Sequence, residues 1–317
     1  MPTAEISADK TSAIAGSAAG KLRRRRPPLP LRPIHRIWRR QLDDIDVVRM
    51  ELPVRRLPAA LAGLVVCQIS DFHVDRDDDL HRLESAVELI NRERPDLVFL
   101  TGDYFSDRKA SRRYLRPFSR ALAELDPEIG VYAIAGNHDH WASFERIAEA
   151  LGSAGAVLLN NESRRLALRG KNLAIVGIDD LWTRHADPAR AFKNVAAGDS
   201  TLVLAHNPDT ALYARHFQPG AMFSGHTHGG VVRLPLYGTP FKSMLHLGKE
   251  FCAGLNLYDG FYIYTNRGLG TFWLPIRINC RPEVSRFELA AMDADIKPTE
   301  STGSSRPRRR RRIGKRR

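Results

Sequence analysis

Five short polar stretches in this sequence hold the residue types that bind metal ions. They are Ser70-Asp71-Phe72-His73, Thr101-Gly102-Asp103-Tyr104, Gly136-Asn137-His138-Asp139, Ala205-His206-Asn207 and Ser224-Gly225-His226-Thr227-His228. Asp and Asn offer oxygen, His offers imidazole nitrogen, and no thiolate takes part. That mixture suits Mn, Fe, Zn, Co or Ni better than a soft-metal or all-oxygen calcium site. Asp71, His73, Asp103, Asn137, His206, His226 and His228 are too many ligands for one tetrahedral ion. They suit two divalent ions sharing one carboxylate. Two such ions ~3.5–4 Å apart can clamp the attacking and leaving oxygens of an in-line phosphoryl displacement. Two cations also lower the pKa of a bound water, giving hydroxide near neutral pH without a protein nucleophile.

Each motif alone says little. An Asp-x-His is an ordinary turn, and Gly-Asp is nearly uninformative. What carries weight is that each stretch follows an apolar run. Leu64–Ser70, Leu97–Leu100 and Val131–Ala135 read as strands. Helical spacing follows each, at Leu80, Leu83, Val87 and Ile90, then Leu115, Phe118 and Leu122, then Phe144, Ile147 and Leu151. Strand–helix alternation predicts a parallel sheet with crossover helices. Ligands in such folds gather at the carboxyl ends of the strands, where these motifs lie. Gly102, Gly136 and Gly225 stand where the chain must turn sharply. Val48, Met50, Leu52 and Val54 alternate as a half-buried strand. The second half is strand-rich, with apolar runs at 157–159, 166–168, 173–176, 202–205, 221–224, 261–264 and 284–289. The Phe-, Met- and Leu-rich stretch 241–258 lacks periodicity. It reads as a packed loop or as a mobile apolar lid, with Phe272–Pro275 joining the same surface.

Together the motifs resemble the calcineurin-like metallophosphoesterases over residues 64–230. The segments GHTHGGVVRLP and RGLGTFWLPIRINCRPEVSRFEL resemble a narrower bacterial phosphodiesterase branch. That branch includes peripheral UDP-2,3-diacylglucosamine pyrophosphohydrolases of lipid A synthesis. Val231 stands where many of those relatives have Gln, a departure that bears on substrate contacts more than on metal binding. The resemblance implies a four-layer α/β/β/α sandwich. It implies one ion on Asp71, His73, Asp103 and His228, and a second on Asp103, Asn137, His206 and His226, with Asp103 bridging. It gives His138 the task of stabilising the transition state or protonating the leaving oxygen, with Asp139 orienting it. His35, His81, His140, His185, His216 and His246 are left over as surface or packed residues, and His140 is placed to line the cleft. Asn207 and Asp209 read as a turn and helix cap.

The chain has 317 residues and a formal charge of +13. Residues 1–60 hold 13 basic and 6 acidic residues, and 291–317 hold 10 and 3, so each end nets +7. The middle holds the remaining 26 basic and 27 acidic residues, a net of −1, which implies no general basic face. We therefore expect a disordered basic segment over 1–43, one catalytic domain over 44–290 and a disordered basic tail over 291–317. Three cysteines without CxxC spacing argue against a disulfide framework or zinc ribbon. No apolar run reaches spanning length, and no signal peptide is read. The expected location is cytoplasmic, with the basic ends and Trp38 drawn to an anionic inner-membrane face. The leading substrate is a lipid-linked nucleotide with a phosphodiester or pyrophosphate bond. A nuclease recruited to nucleic acid by the same ends comes second, and a non-catalytic scaffold on this fold third.

Overall fold

The computed structural model describes residues 42, 44–234, 239, 245–271 and 276–292. Its strands are β1 (Asp46–Val54), β2 (Val65–Ile69), β3 (Leu97–Leu100), β4 (Gly130–Ala133), β5 (Ala156–Leu158), β6 (Glu162–Leu168), β7 (Lys171–Ile178), β8 (Ser200–Ala205), β9 (Ala221–Ser224), β10 (Gly254–Tyr258), β11 (Phe261–Thr265) and β12 (Glu283–Ala291). The helices are α1 (Asp77–Arg92), α2 (Arg108–Ala123), α3 (Asn137–Ala142), α4 (Phe144–Ser153), α5 (Pro188–Phe192) and α6 (Ala211–Ala214).

The strands form two six-stranded sheets, ordered β1-β12-β2-β3-β4-β5 and β10-β11-β9-β8-β7-β6. β2 through β5 are parallel, as are β7, β8, β9 and β11. Three apolar clusters separate four layers. One joins α1, α2 and α4 to the first sheet. A second lies between the sheets, with Val66, Phe99, Ile134, Leu202, Phe223 and Phe287. The third joins the second sheet to α5, α6 and the segment around Phe251. Inner strands such as β3 and β8 are buried at every residue, which is why they read as unbroken apolar runs.

The expected α/β/β/α layering stands, but two local expectations change. Part of the 241–258 stretch is strand β10, paired antiparallel with β11. Phe251 is buried, Leu245 and Leu247 pack on the third cluster, and Asp209 accepts the His246 and Leu247 N–H groups. The described part of that stretch is therefore fixed, not a lid; 241–244 and 272–275 lie outside the described residues. At the domain edges, Leu42 is buried and its carbonyl accepts from Arg82. β12 runs through Ala291, and Met292 N–H donates to Val54. The rest of the two basic ends lies outside the described residues. All three cysteines are buried and free.

Candidate metal centre

The tips of β2, β3 and β4 on one sheet and of β8 and β9 on the other meet at a common edge. They bring together all seven ligand candidates and His138. Asp71, His73 and His228 have ligand atoms within 4.8 Å of one another; so do Asp103, His206 and His226, and also His73, Asp103 and His138. Asn137 Oδ1 lies 3.0 Å from His226 Nδ1, which adds the amide to the second group. Asp103 and His73 each belong to two of the three groups, and Asp103 Oδ2 faces an imidazole from each sheet, His73 at 3.7 Å and His206 at 3.1 Å.

The backbone is bent to reach this arrangement. Asp71, His73, Asp103, His226 and His228 all have φ between 43° and 71°, a region that non-glycine residues seldom occupy. Strain of this kind persists where the surroundings hold it, and it clusters at functional sites. Gly136 and Gly225 allow the tips to approach. A Cβ on Gly136 would strike the Asp103 carboxylate, and one on Gly225 would strike Ser70 and Asp71.

The donor atoms fit a cation. His206 Nδ1 lies 2.7 Å from the Thr101 carbonyl, so Nδ1 carries the hydrogen. In the neutral ring Nε2 then aims a lone pair at Asp103 Oδ2, 3.1 Å away. His73 Nε2 lies 3.7 Å from the same oxygen, and His228 Nε2 is 3.4 Å from Asp71 Oδ1. Lone pairs converging in a dry site repel unless a proton or cation lies between them. With protons alone, burial opposes charging of His206, but Asp103 beside it prevails and raises it to about 10. That proton stands where a divalent ion would stand. Burial pushes both His73 and His228 down to about 3, reinforced by His228 beside His73 and by the Arg277 charge near His228, which keeps their nitrogens available as ligands. Burial works against the Asp103 carboxylate, yet His206 and His73 hold it far below the usual range.

His138 and Asp139 sit beside this cluster in different ways. His138 N–H donates to Asp103 Oδ1 at 2.8 Å, and its Nδ1 meets the Ser106 carbonyl at 3.0 Å. With Nδ1 protonated, the ring can donate from Nε2 only as an imidazolium. Asp139 is fully buried and accepts from the N–H groups of Asp103, Tyr104 and Gly136, each at 2.8 Å. It fixes the β3 and β4 tips to each other, and so acts on His138 through the backbone that carries it. Burial and the Asp103 charge push Asp139 upward, against those three donors.

Sequence reasoning missed several supporting residues. Ser106 Oγ meets His73 Nδ1 at 2.7 Å, while its carbonyl meets His138. Arg277 is fully buried and donates to the carbonyls of Arg267, Gly268 and Gly270. The turn it holds is laced to the first tip by Leu269 N–H to Ser70 and Gly270 N–H to Asp71. The RGLG segment was visible in sequence, but nothing in its spacing tied it to Asp71. His140, read as a cleft-lining residue, bonds Asp179 at 2.7 Å. Asn207 caps its own turn, as read from the sequence, by accepting from Asp209 N–H.

Comparison with known proteins agrees with this geometry. A family model for calcineurin-like phosphoesterase matches residues 64–230. "Phosphodiesterase YaeI" of Escherichia coli is 37% identical over 225 residues, covering 70% of this chain and 80% of its own. An uncharacterised metallophosphoesterase of Bacillus subtilis, YkuE, is 31% identical, covering 74% and 81%. "UDP-2,3-diacylglucosamine pyrophosphatase LpxG" of Chlamydia muridarum is 26% identical, covering 78% and 91%. The matched span opens at the strand before Asp71 and closes two residues past His228, so it encloses every side chain that converges on Asp103. The chain belongs to the calcineurin-like phosphoesterases and is a metal-dependent phosphoric ester hydrolase.

Proposed function

We propose that this enzyme cleaves a phosphodiester or pyrophosphate bond in a lipid-linked nucleotide of the UDP-2,3-diacylglucosamine kind, at an anionic membrane surface. The observation that carries the hydrolytic part is Asp103, whose carboxylate faces imidazoles from both sheets. Two divalent ions held by Asp71, His73, Asp103, Asn137, His206, His226 and His228 would supply an activated water and charge neutralisation. Asp103 would hold both in register. His138, as an imidazolium, would stabilise the charge developing on the phosphoryl oxygens or pass its Nε2 proton to the leaving oxygen. Asp139 keeps the two tips at fixed separation. The substrate assignment draws support from the similarity to the Chlamydia enzyme across most of that protein's length.

The membrane part gains support from α2. Arg108, Lys109, Arg112, Arg113, Arg116 and Arg120 are all exposed, and the helix holds no acidic residue. Of these six, among the described residues, Arg113 alone lies within salt-bridge distance of a carboxylate, 3.6 Å from Asp77. The middle of the chain nets −1 overall, yet six of its 26 basic residues lie on this one helix. Such a row suits anionic headgroups. It also suits a phosphate backbone, which keeps the nuclease as a second reading. Among the described residues no helix is long and apolar enough to cross a membrane.

The test is a substrate panel on metal-loaded protein, with and without detergent. The proposal expects release of UMP from the diacylated UDP-sugar, stimulated by anionic vesicles. Turnover confined to nucleic acid would replace it with the nuclease reading.

A further inference from the structure

Two tryptophans fall among the described residues, Trp141 at 52% and Trp182 at 41% exposure. Each touches a histidine of the metal centre. The Trp141 ring lies 4.9 Å from His138, edge to face at 73°. Trp182 lies 4.4 Å from His226 at 82°. An edge-to-face contact uses at most one face of an indole. Both rings therefore keep apolar surface open beside a charged, buried floor.

The rings belong to separate segments, α3 and the loop between β7 and α5, yet the segments are locked together. His140, next to Trp141, bonds Asp179 at 2.7 Å and stacks on His185 at 4.1 Å and 7°. Phe144 stacks on His140 at 5.0 Å and 9°. Asn161 pins the loop, donating to the His185 carbonyl and accepting from the N–H groups of Asp179 and Asp187. Asp180 accepts from the N–H and hydroxyl of Thr183. The two indoles are thus held at a set spacing, without the ordering cost that a flexible loop would bring to binding.

We propose that Trp141 and Trp182 form a fixed aromatic rim that binds a planar organic substituent of the phosphoester, an aryl ring or nucleobase, while the metal centre holds its phosphorus. This rests on the phosphodiesterase reading and adds a selectivity to it: esters bearing a ring are preferred over esters bearing a small alkyl group. His140 is a positioning residue, since it links the two segments and reaches the substrate only through them.

The experiment compares thymidine 5′-p-nitrophenyl phosphate with methyl p-nitrophenyl phosphate on full-length, metal-loaded protein. Both diesters share one leaving group, so the ratio of their kcat/KM values isolates the retained substituent. The wild type should favour the nucleoside ester by about tenfold, the scale of one ring stacking on another. Trp141→Ala with Trp182→Ala should bring that ratio near one, Trp→Phe at both positions should largely restore it, and His140→Ala should lower it part-way. A ratio unchanged in the double Ala variant overturns the proposal, as does equal loss on both esters. Binding of phenylphosphonate against methylphosphonate, followed by calorimetry, reads the same preference without turnover. If the wild type cleaves neither diester, the phosphodiesterase reading fails, and the phosphonate ratio still decides for or against the rim.

Discussion

The two sheets give the centre different chemistry. Of the candidate ligands, the first supplies Asp71, His73, Asp103 and Asn137, which include every oxygen donor; the second supplies His206, His226 and His228, all imidazoles. Of the seven candidates, the first half holds both carboxylates but only one of the four imidazoles, and the second half holds no carboxylate. The halves are held in register by an apolar cluster between the sheets and by buried bonds across them, such as Gln68 Nε2 to the Ser224 carbonyl and His206 Nδ1 to the Thr101 carbonyl. Catalytic geometry in this molecule is therefore a property of sheet-on-sheet packing as much as of the ligands.

The comparison breaks most completely at the carboxylate that faces both sheets. Asp103→Ala should release metal from both halves and reduce diesterase activity to background, whereas His206→Ala should spare the ion on Asp71, His73 and His228. Metal content by mass spectrometry separates the two, and equal losses in both variants would contradict a bridging role. His138→Ala comes next. It should keep its metal while kcat falls by ~10²–10⁴, the usual scale of general acid catalysis. The loss should shrink on nitrophenyl esters, whose leaving group needs no proton. His138 lies in a possible ligand group with His73 and Asp103, so loss of metal in this variant would reassign it as a ligand.

A remote substitution sharpens the point further. Phe223 of the second sheet packs edge-on to Phe99 of the first at 5.0 Å and to Phe287 at 5.3 Å. Phe223→Ala should cost about 3–5 kcal/mol of stability by urea unfolding, as for other buried large-to-small changes. It should also weaken metal affinity though it removes no ligand. Unchanged affinity would mean that the halves align without this core. The smallest effect on chemistry is expected from the basic ends. Deleting 1–33 and 293–317 should leave turnover of a small soluble diester unchanged. It should weaken vesicle binding, and salt should mimic the deletion, because exposed charges are screened within ~8 Å at physiological ionic strength. Co-sedimentation set beside duplex-DNA binding reads both outcomes.

The centre was legible because its information is local. Each ligand stands one to a few residues past an apolar strand, and a Gly marks three of the turns. The layers were legible from alternation of strand and helix, and the family resemblance added the second sheet. Other features have no local signature. β12 inserts between β1 and β2, parallel to one and antiparallel to the other, a placement that pairwise strand patterns do not encode. β10 is an edge strand whose five residues are all half-buried, and its one alternation, Leu255-Asn256-Leu257, is too short to mark a strand. The aromatic rim joins Trp141 to Trp182 through His140 and Asp179, residues that look ordinary until the chain brings them together. The basic row on α2 was hidden by averaging over a domain whose charges nearly cancel.

The most direct measurement is the metal stoichiometry of the purified chain, followed with diesterase activity through chelation and readdition. The account predicts close to two divalent ions per chain, activity lost on chelation, and activity regained as the ions return. A metal-free preparation that retains full activity would contradict it.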